Sequence, residues 1–272
     1  MPASEANRHA LLIDLDGVVY QGGHLIEGAL AVLDWIKARQ IPHLFVTNTT
    51  SRPRAALLEK FASMGFSARP DEVITPVVAA NQWLAEHRIR KAALFVPAAT
   101  QQDFTGIEAL DLDQNAAAEA VIVGDLGEAW DFKLLNRAFQ LLMQEPQPRL
   151  VALGMTRYWR GRNGLQLDVA PFIKALEHAA DCEAVVVGKP APAFFEAALT
   201  ILQVSADQTL MIGDDIVGDV GAAQRCGIRG IQVRTGKFRD SDLNGAIEPF
   251  ALLDSITGLP GWWQRELESM DY

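Results

Sequence analysis

The segment Asp14-Leu15-Asp16-Gly17 places two carboxylates two residues apart, directly after the apolar run 10–13. This run is short and rich in branched residues, so it predicts a buried strand. Carboxylates at the end of a buried strand are costly unless something uses them, and the carboxyl ends of parallel strands are where α/β proteins bind ligands. The simpler alternative is a capped turn that leads into Gly17. The segment alone leaves both interpretations open.

Three further groups of polar residues follow predicted strands. They are Thr47-Asn48-Thr49-Thr50 after the run 43–46, Gly188-Lys189-Pro190 after 184–187, and Gly213-Asp214-Asp215 after 210–212, with Asp219 four residues beyond Asp215. Each group has an ordinary structural explanation when it is taken singly. Hydroxyls and amides cap helices, a lysine after a strand is usually solvated, and acids at a helix N-terminus complement the helix dipole.

Together the four groups supply what phosphoryl transfer needs, which is a nucleophile, a cation against the developing charge and donors on the phosphoryl oxygens. A carboxylate can attack phosphorus and form an aspartyl-phosphate. Mg²⁺ favours oxygen ligands and needs only a few from the protein. The coincidence of these residue types at four strand ends therefore favours phosphoryl transfer over four independent structural roles.

Alternating strand-like and helix-like segments would hold these residues on a parallel sheet with helices on both faces. The predicted strands are 10–13, 42–46, 92–96, 120–123, 150–153, 184–187, 208–212 and 230–233. The predicted helices are 28–39, 53–64, 75–87, 132–143, 171–178, 192–202 and 217–226. The segment 155–168 contains the turn Gly161-Arg162-Asn163-Gly164 and predicts a hairpin.

In type and in order, the four polar groups resemble the motifs of the haloacid dehalogenase (HAD) superfamily, and the resemblance covers essentially the whole chain. It implies that Asp14 is the nucleophile and that Asp16 is the general acid/base, whose backbone carbonyl also binds Mg²⁺. It implies that Asp214 completes the Mg²⁺ site with Asp14, and that Asp219 supports this site from behind. The role of Asp215 stays open because the superfamily varies at that position.

The same resemblance assigns the residues that bind the phosphoryl group. Thr47 binds it directly, with Asn48 beside Thr47. Lys189 orients both the nucleophile and the phosphoryl oxygens. Residues 17–27 correspond to the flap next to the nucleophile.

The long insertion between Thr47 and Lys189 resembles the large α/β cap of the NagD-type subgroup, subfamily IIA. We therefore expect an α/β protein with a HAD-like, Rossmann-like doubly wound parallel sheet as its core and an inserted α/β cap domain. The expected limits are 1–77 for the first part of the core, 78–182 for the cap and 183–272 for the second part of the core. The oligomeric state stays open, and the resemblance to large-cap enzymes offers a homodimer that pairs through the cap as one alternative.

Asp16 separates two activities within the superfamily. A halide leaves without a proton, whereas the leaving group of a phosphate ester needs one, so an acid two residues after the nucleophile favours a phosphatase over a dehalogenase. The resemblance thus implies a Mg²⁺-dependent phosphatase that hydrolyses phosphate monoesters or related phosphoryl compounds through an aspartyl-phosphate. The alternative is a catalytically silent protein of the same fold that binds phosphate or a partner. Such a protein has no need of both Asp14 and Asp16.

Arg157, Tyr158 and Arg160 lie in the predicted cap hairpin, where they could meet an anionic or aromatic leaving group. The alternative is an exposed hairpin edge whose charges guard against aggregation.

The composition limits the classes of binding partner and the cellular compartment that we expect for this protein. The chain has 272 residues and a net charge of −10, so nonspecific nucleic-acid binding is not expected and an anionic substrate would need a local cation. Its two cysteines form no disulfide framework and no metal spacing, which suits a reducing compartment. The sequence shows neither a signal peptide nor an apolar stretch of membrane-spanning length. We expect a cytoplasmic enzyme for a small phosphorylated substrate, without nucleic acid or a membrane as partner.

Overall fold

The computed structural model describes residues 9–114, 116–161 and 164–268, and these residues divide into two compact units. The core unit takes its described residues from Met1–Thr47, Leu58–Ile74 and Ala198–Tyr272. The inserted unit comprises Asn48–Leu57 and Thr75–Ala197. The division confirms neither end of the predicted cap, so the limits 78–182 stay a prediction.

Short strands alternate with helices along the chain. The strands are β1 (Ala10–Asp14), β2 (Tyr20–Gln21), β3 (His24–Leu25), β4 (His43–Val46), β5 (Val73–Ile74), β6 (Lys91–Phe95), β7 (Glu108–Ala109), β8 (Ala120–Val123), β9 (Arg149–Ala152), β10 (Tyr158–Gly161), β11 (Gly164–Leu167), β12 (Val185–Val186), β13 (Thr209–Gly213), β14 (Arg229–Val233) and β15 (Ala251–Leu253). The α-helices are α1 (Ala29–Ala38), α2 (Arg54–Ser63), α3 (Pro76–Glu86), α4 (Ala98–Gln101), α5 (Phe132–Leu142), α6 (Val169–Ala180), α7 (Pro192–Leu202), α8 (Ala222–Arg225) and α9 (Leu259–Trp263). Among the described residues, no helix combines the length and the apolar character that crossing a membrane requires.

The core unit is built on a six-stranded sheet in the order β15-β14-β13-β1-β4-β5, and every neighbouring pair in it is parallel. All five residues of β1 are buried, as expected for a central strand that is covered on both faces. Ile13 pairs with Ile212 on β13, and Asp14 pairs with Val46 on β4. The carboxyl ends of β13, β1 and β4 therefore meet at one edge of the sheet. The predicted α/β fold class is confirmed.

Aromatic packing fixes the β4 side of this sheet. Phe45 lies 5.9 Å from both Phe61 and Phe66 between ring centroids, and the latter two rings stack at 4.8 Å. Phe45 and Phe61 are fully buried. Each such ring removes a large apolar area from water, so this cluster holds β4 and the turn that follows it in a fixed position.

The inserted unit has its own five-stranded sheet, in the order β12-β9-β8-β6-β7, with parallel neighbours. Two of its helices begin at side-chain caps. The Asp131 carboxylate accepts from the Leu134 N–H at the start of α5, and Asp168 accepts from the Val169 N–H at the start of α6. Such caps satisfy donors that the first helical turn leaves free. The buried core includes Ala93, Phe95, Val121, Val123, Ala138, Leu141, Leu142, Leu150, Ala152, Ile173 and Leu176.

The predicted hairpin is present in the inserted unit. β10 and β11 pair antiparallel, with Tyr158 opposite Leu167 and Gly161 opposite Gly164. Arg162 and Asn163 of the predicted turn lie outside the described residues.

The strand before Lys189 is a correction to the sequence analysis. We expected the run 184–187 to join the sheet that carries Asp14. The structure pairs Val185 with Val151 and Val186 with Ala152, so β12 is an edge strand of the inserted unit's sheet. A short apolar run predicts a strand, but a strand's sheet is decided by distant partners that its own sequence does not encode.

Candidate active site

Three buried carboxylates come together at the carboxyl edge of the core sheet. Asp14 ends β1, Asp214 directly follows β13, and Asp219 lies in the π-helical segment Ile216–Gly221 that comes next. Each contributes one carboxylate oxygen to a group whose members all lie within 4.8 Å of one another. The three residues are only 8%, 2% and 3% exposed, respectively. Acids this close and this buried repel one another unless a cation separates them.

Asp214 is the least satisfied of the three carboxylates. Its Oδ2 accepts a hydrogen bond from the Lys237 backbone N–H at 2.7 Å, whereas its Oδ1 is buried and has no hydrogen-bond partner in the described part of the chain. Burial raises the pKa of Asp214 to about 6, the Lys237 N–H opposes this rise, and the charges of Asp219 and Asp215 add to it. A buried oxygen without a donor is what a metal-binding carboxylate presents before it binds its ion.

Asp215 has a structural task, as its position before a helix suggested. Its Oδ1 accepts from the backbone N–H groups of Val217 and Gly218 at 3.1 and 2.8 Å. Its own N–H donates to the Asp219 Oδ2 at 3.3 Å. Burial raises the pKa of Asp215, but the Gly218 N–H and the Lys237 charge outweigh burial, so the pKa is lowered overall. Asp215 thus caps the segment that carries Asp219 and helps to orient that residue.

Thr47 and Asp16 stand at the same edge of the core sheet, in different environments. Thr47 is buried directly after β4, whose Val46 is paired with Asp14, and its N–H donates to the Ile74 carbonyl at 3.2 Å. Asp16 is exposed and lies outside the three-carboxylate group. The roles of both residues stay predictions.

Asn48 and Lys189 belong to the inserted unit and are bonded to each other. The Asn48 side-chain amide donates to the Lys189 backbone carbonyl at 2.9 Å. Lys189 is only 5% exposed, which excludes the alternative of a solvated lysine. Before it, a Cβ on Gly188 would lie 2.2 Å from the Leu153 carbonyl oxygen, so only glycine fits there. A buried lysine held at a fixed backbone position is costly unless it meets an anion.

The predicted flap begins with a tight turn after β1. The Leu15 carbonyl accepts from the N–H groups of Val19 and Tyr20 at 2.9 and 3.1 Å. Gly17 adopts a φ of +89°, which favours glycine. The hairpin of β2 and β3 follows, and the Lys60 ammonium lies 3.7 Å from the centroid of the Tyr20 ring. Cation–π contact of this kind favours one position of the hairpin base.

The segment Thr235-Gly236-Lys237 after β14 also belongs to the site; its residues are part of the family resemblance, but the sequence analysis assigned them no role. Besides its N–H bond to Asp214, Lys237 places its ammonium 3.2 Å from Asp215 Oδ2. Burial lowers the pKa of Lys237, but the charges of Asp215 and Asp214 outweigh burial and raise it. The available signal was the position of these three residues, which begin two residues after the end of a strand of the same sheet.

Comparisons with known proteins show which family the chain resembles. The haloacid dehalogenase-like hydrolase family matches residues 11–107, and a second HAD hydrolase-like family matches residues 186–259. Human phospholysine phosphohistidine inorganic pyrophosphate phosphatase is 41% identical over 241 residues, or 87% of each chain. Haloacid dehalogenase-like hydrolase domain-containing protein 2 from Bos taurus is 37% identical over 233 residues, or 86% of each chain.

Two solved structures show the same fold. The p-nitrophenyl phosphatase from Archaeoglobus fulgidus has a TM-score of 0.83 at 24% identity, covering 93% of this chain and 98% of its own. NagD from E. coli has a TM-score of 0.82 at 22% identity, covering 92% and 98%.

The chain belongs to the haloacid dehalogenase superfamily, which confirms that prediction. The NagD-like subfamily IIA stays a prediction. Within that superfamily it is a phosphatase, the activity in the names of curated relatives that are 41% and 40% identical to it over 87% of the chain.

Proposed function

We propose that this protein is a Mg²⁺-dependent phosphatase that cleaves phosphate monoesters or related phosphoryl compounds through an aspartyl-phosphate on Asp14. The observation that carries the proposal is the group of buried carboxylates of Asp14, Asp214 and Asp219, whose oxygens lie within 4.8 Å of one another at the carboxyl edge of the core sheet. This edge is where an α/β sheet offers a ligand site. Membership in a superfamily of hydrolases supports the same chemistry.

The donor set fits a magnesium ion. All the candidate ligands are oxygens, which Mg²⁺ prefers, and the protein needs to supply only a few because water and phosphate complete the shell. The unpartnered Oδ1 of Asp214 gives a direct reason for a bound cation. We propose that Asp14 and Asp214, with the backbone carbonyl of Asp16, hold the ion and that Asp219 supports them. When bound, Mg²⁺ would screen the charge between the nucleophile and the phosphoryl oxygens.

Asp14 and Asp16 divide the chemistry between them. A carboxylate oxygen of Asp14 forms the new bond to phosphorus, and the bond from phosphorus to the leaving group breaks as Asp16 gives its proton to the leaving atom. In the second step Asp16 takes a proton from water, whose oxygen bonds to phosphorus. Phosphate then leaves and Asp14 is restored. The burial of Asp14 and the exposure of Asp16 support this division of roles.

Thr47, Asn48 and Lys189 are proposed to bind the phosphoryl group. The buried position of Thr47 after β4 leaves its hydroxyl at the edge that carries Asp14. Lys189 is buried, and the amide of Asn48 bonds to its carbonyl. For these three residues the family motif supplies the role, and mutation tests it. Replacing Lys189 by Met should raise KM and lower kcat together, because the cation acts on both bound substrate and transition state.

The relatives suggest where to look for the substrate. The names of two curated relatives, at 41% and 40% identity, include phospholysine, phosphohistidine and inorganic pyrophosphate. We propose that these P–N and P–O–P compounds are turned over alongside phosphate monoesters. The leaving group of each of these compounds needs a proton, and Asp16 can supply it.

The decisive experiment is a substrate panel on the purified protein with Mg²⁺, made up of p-nitrophenyl phosphate, phospholysine, phosphohistidine and pyrophosphate. We expect turnover of at least one compound, lost in Asp14→Asn and kept in Asp34→Asn. Asp34 is an exposed residue of α1 and serves as the matched control. Turnover that survives in folded Asp14→Asn would contradict the nucleophile. A wild-type protein that binds phosphate without any turnover would favour the silent binding protein instead.

The hairpin of β10 and β11 is the proposed surface for pairing through the cap. It exposes apolar side chains on opposed positions, with Tyr158 at 52%, Leu165 at 63% and Leu167 at 60% exposure. Exposed apolar residues that cluster in this way are typical of interaction surfaces. We expect a homodimer by sedimentation velocity and its dissociation in Leu167→Glu. A monomeric wild-type protein would contradict the pairing.

A further inference from the structure

The segment Thr235-Gly236-Lys237 lies next to Asp214 because of the order of the strands. β14 is the neighbour of β13, and Gly213 pairs with Gln232. Both strands end at the same edge of the sheet. The residues that leave β14 therefore run beside the residues that leave β13, among them Asp214.

The packing around one oxygen of Asp214 has no free space. A Cβ on Gly17 would lie 2.0 Å from Asp214 Oδ2, and a Cβ on Gly236 would lie 2.0 Å from the same atom. The Cβ on Gly236 would also lie 2.7 Å from the Gly17 Cα. Oδ2 is thus enclosed by two glycine backbones. Both glycines have positive φ angles, +89° for Gly17 and +68° for Gly236, where other residues are strained.

Two hydrogen bonds fasten this arrangement. The Lys237 backbone N–H donates to Asp214 Oδ2 at 2.7 Å, and the Thr235 hydroxyl donates to the Gly17 carbonyl at 2.5 Å. The first bond fixes the carboxylate, and the second ties the segment to the turn that follows Asp14. One oxygen of Asp214 is therefore held by backbone, while its other oxygen has no partner among the described residues.

We propose that Thr235-Gly236-Lys237 is a positioning element that clamps Asp214 Oδ2 and so presents Oδ1 to the metal ion. The inference rests on the proposed function, in which Asp214 is a ligand. A carboxylate that is already oriented loses less freedom when it binds an ion. Groups that orient metal ligands in this way typically contribute about 10–100-fold in metal affinity. Lys237 and its neighbours act through Asp214 and do not contact the substrate.

The positive charge of Lys237 should affect magnesium affinity in the opposite direction to its backbone N–H. Its ammonium pairs with Asp215 Oδ2 at 3.2 Å and its side chain is 69% exposed. A cation close to the three carboxylates repels Mg²⁺, so its removal should leave magnesium binding unchanged or make it tighter. Loss of the backbone clamp should weaken binding. The two effects are therefore separable.

The test is a calorimetric titration of the full-length protein with MgCl₂, repeated with Mn²⁺ by electron paramagnetic resonance. Gly236→Ala should raise the magnesium dissociation constant at least tenfold. Gly106→Ala is the matched control, because Gly106 has a similar φ of +74° with nothing within 4 Å of an added Cβ. It carries the same backbone strain without a clash and should bind Mg²⁺ like the wild type. Lys237→Met keeps the backbone N–H and should not weaken binding.

Thr235→Val and Thr235→Ser keep the inference testable should Gly236→Ala fail to fold. Valine removes the hydroxyl donor and should weaken magnesium binding several-fold, whereas serine restores the donor and should restore the affinity. Equal affinity in the wild type and in both Gly236→Ala and Thr235→Val would overturn the positioning element. So would a loss of affinity in Lys237→Met as large as that in Gly236→Ala. A wild-type protein that binds no Mg²⁺ would instead refute the proposed function.

Discussion

Asp214→Asn is expected to make the metal-free protein more stable while it removes the affinity for magnesium. In the folded protein, burial raises the pKa of Asp214 from 3.8 to about 6. Ionisation is therefore harder in the folded state than in the unfolded chain, and at neutral pH the charge opposes folding. An amide has no charge to bury, and its oxygen can still accept the Lys237 N–H that now bonds to Oδ2.

The size of the effect follows from the pKa difference. About two pH units between the folded and unfolded states correspond to an upper limit of about 3 kcal/mol at pH 7.5, at roughly 1.36 kcal/mol per unit. Rearrangement of side chains and solvent around the metal-free carboxylates reduces this, so we expect a gain of about 1–3 kcal/mol in the free energy of unfolding. For a chain of this size, 2 kcal/mol corresponds to a rise of roughly 4–8 °C in Tm.

The contribution of Asp214 to the free energy of unfolding should depend on pH. The folded pKa of this acid is raised, so its unfavourable contribution is absent below about pH 4, grows as pH rises from 3.8 to about 6, and is complete above that. The stability gap between Asp214→Asn and the wild type should therefore shrink to about a third at pH 4.5. Asp34→Asn, on the exposed side of α1, should show no gap at either pH.

The assay is thermal unfolding in EDTA and in excess Mg²⁺, at pH 7.5 and pH 4.5. In EDTA the variant should melt above the wild type. In Mg²⁺ at a thousand times its dissociation constant, binding should stabilise the wild type by about 4.1 kcal/mol. This exceeds the gain expected for the variant, so the order should reverse at pH 7.5. The reasoning is refuted if Asp214→Asn is no more stable than the wild type in EDTA at pH 7.5. It is refuted equally if the gap does not change with pH.

Three further predictions concern the reaction. Asp16→Asn should lose about 10²–10⁴-fold in kcat/KM for esters with poor leaving groups and much less for p-nitrophenyl phosphate; an equal loss across leaving groups of different pKa would remove Asp16 as the acid. EDTA should abolish turnover, Mg²⁺ should restore it and Ca²⁺ should not, because Ca²⁺ takes more ligands with looser geometry; activity that persists after exhaustive chelation would contradict a metal site. Arg157→Ala and Arg160→Ala should leave p-nitrophenyl phosphate turnover nearly intact and lower kcat/KM for a larger anionic substrate. Equal effects on both substrates would leave the hairpin as a charged edge only.

The parts of the fold that could be predicted are those with a strong local signal. The runs that became β1, β8 and β13 are fully buried and apolar, and their length and branching distinguish them from helices. α3 begins where Thr75 accepts from the Val78 N–H, with Pro76 in the first helical turn, which is a cap that sequence alone reveals. The polar residues after these strands were found for the same reason, because their spacing relative to a strand end is local.

Elements that depend on distant partners could not be predicted. β5, β7 and β15 have only two or three residues, too few for any periodicity to be measured. The predicted helix 217–226 is instead a π-helical segment, Ile216–Gly221, followed by α8. Asp215 caps that segment and Asp219 must turn back toward Asp215. π-Helical turns of this kind are associated with functional sites and have no simple sequence signature.

The candidate site shows why motif residues alone describe only half of a metal centre. Motifs identify the carboxylates because acids at strand ends are unusual. They do not reveal the role of Gly236, which lies in the absence of a side chain beside Asp214 Oδ2. They do not reveal the role of Lys237 either, because every residue but proline has the backbone N–H that it uses. The unpartnered Oδ1 is likewise invisible in the sequence. On the proposed function, that oxygen would make the metal-free protein less stable and would give a bound cation its affinity, so the loss of stability and the gain in binding would have one physical origin.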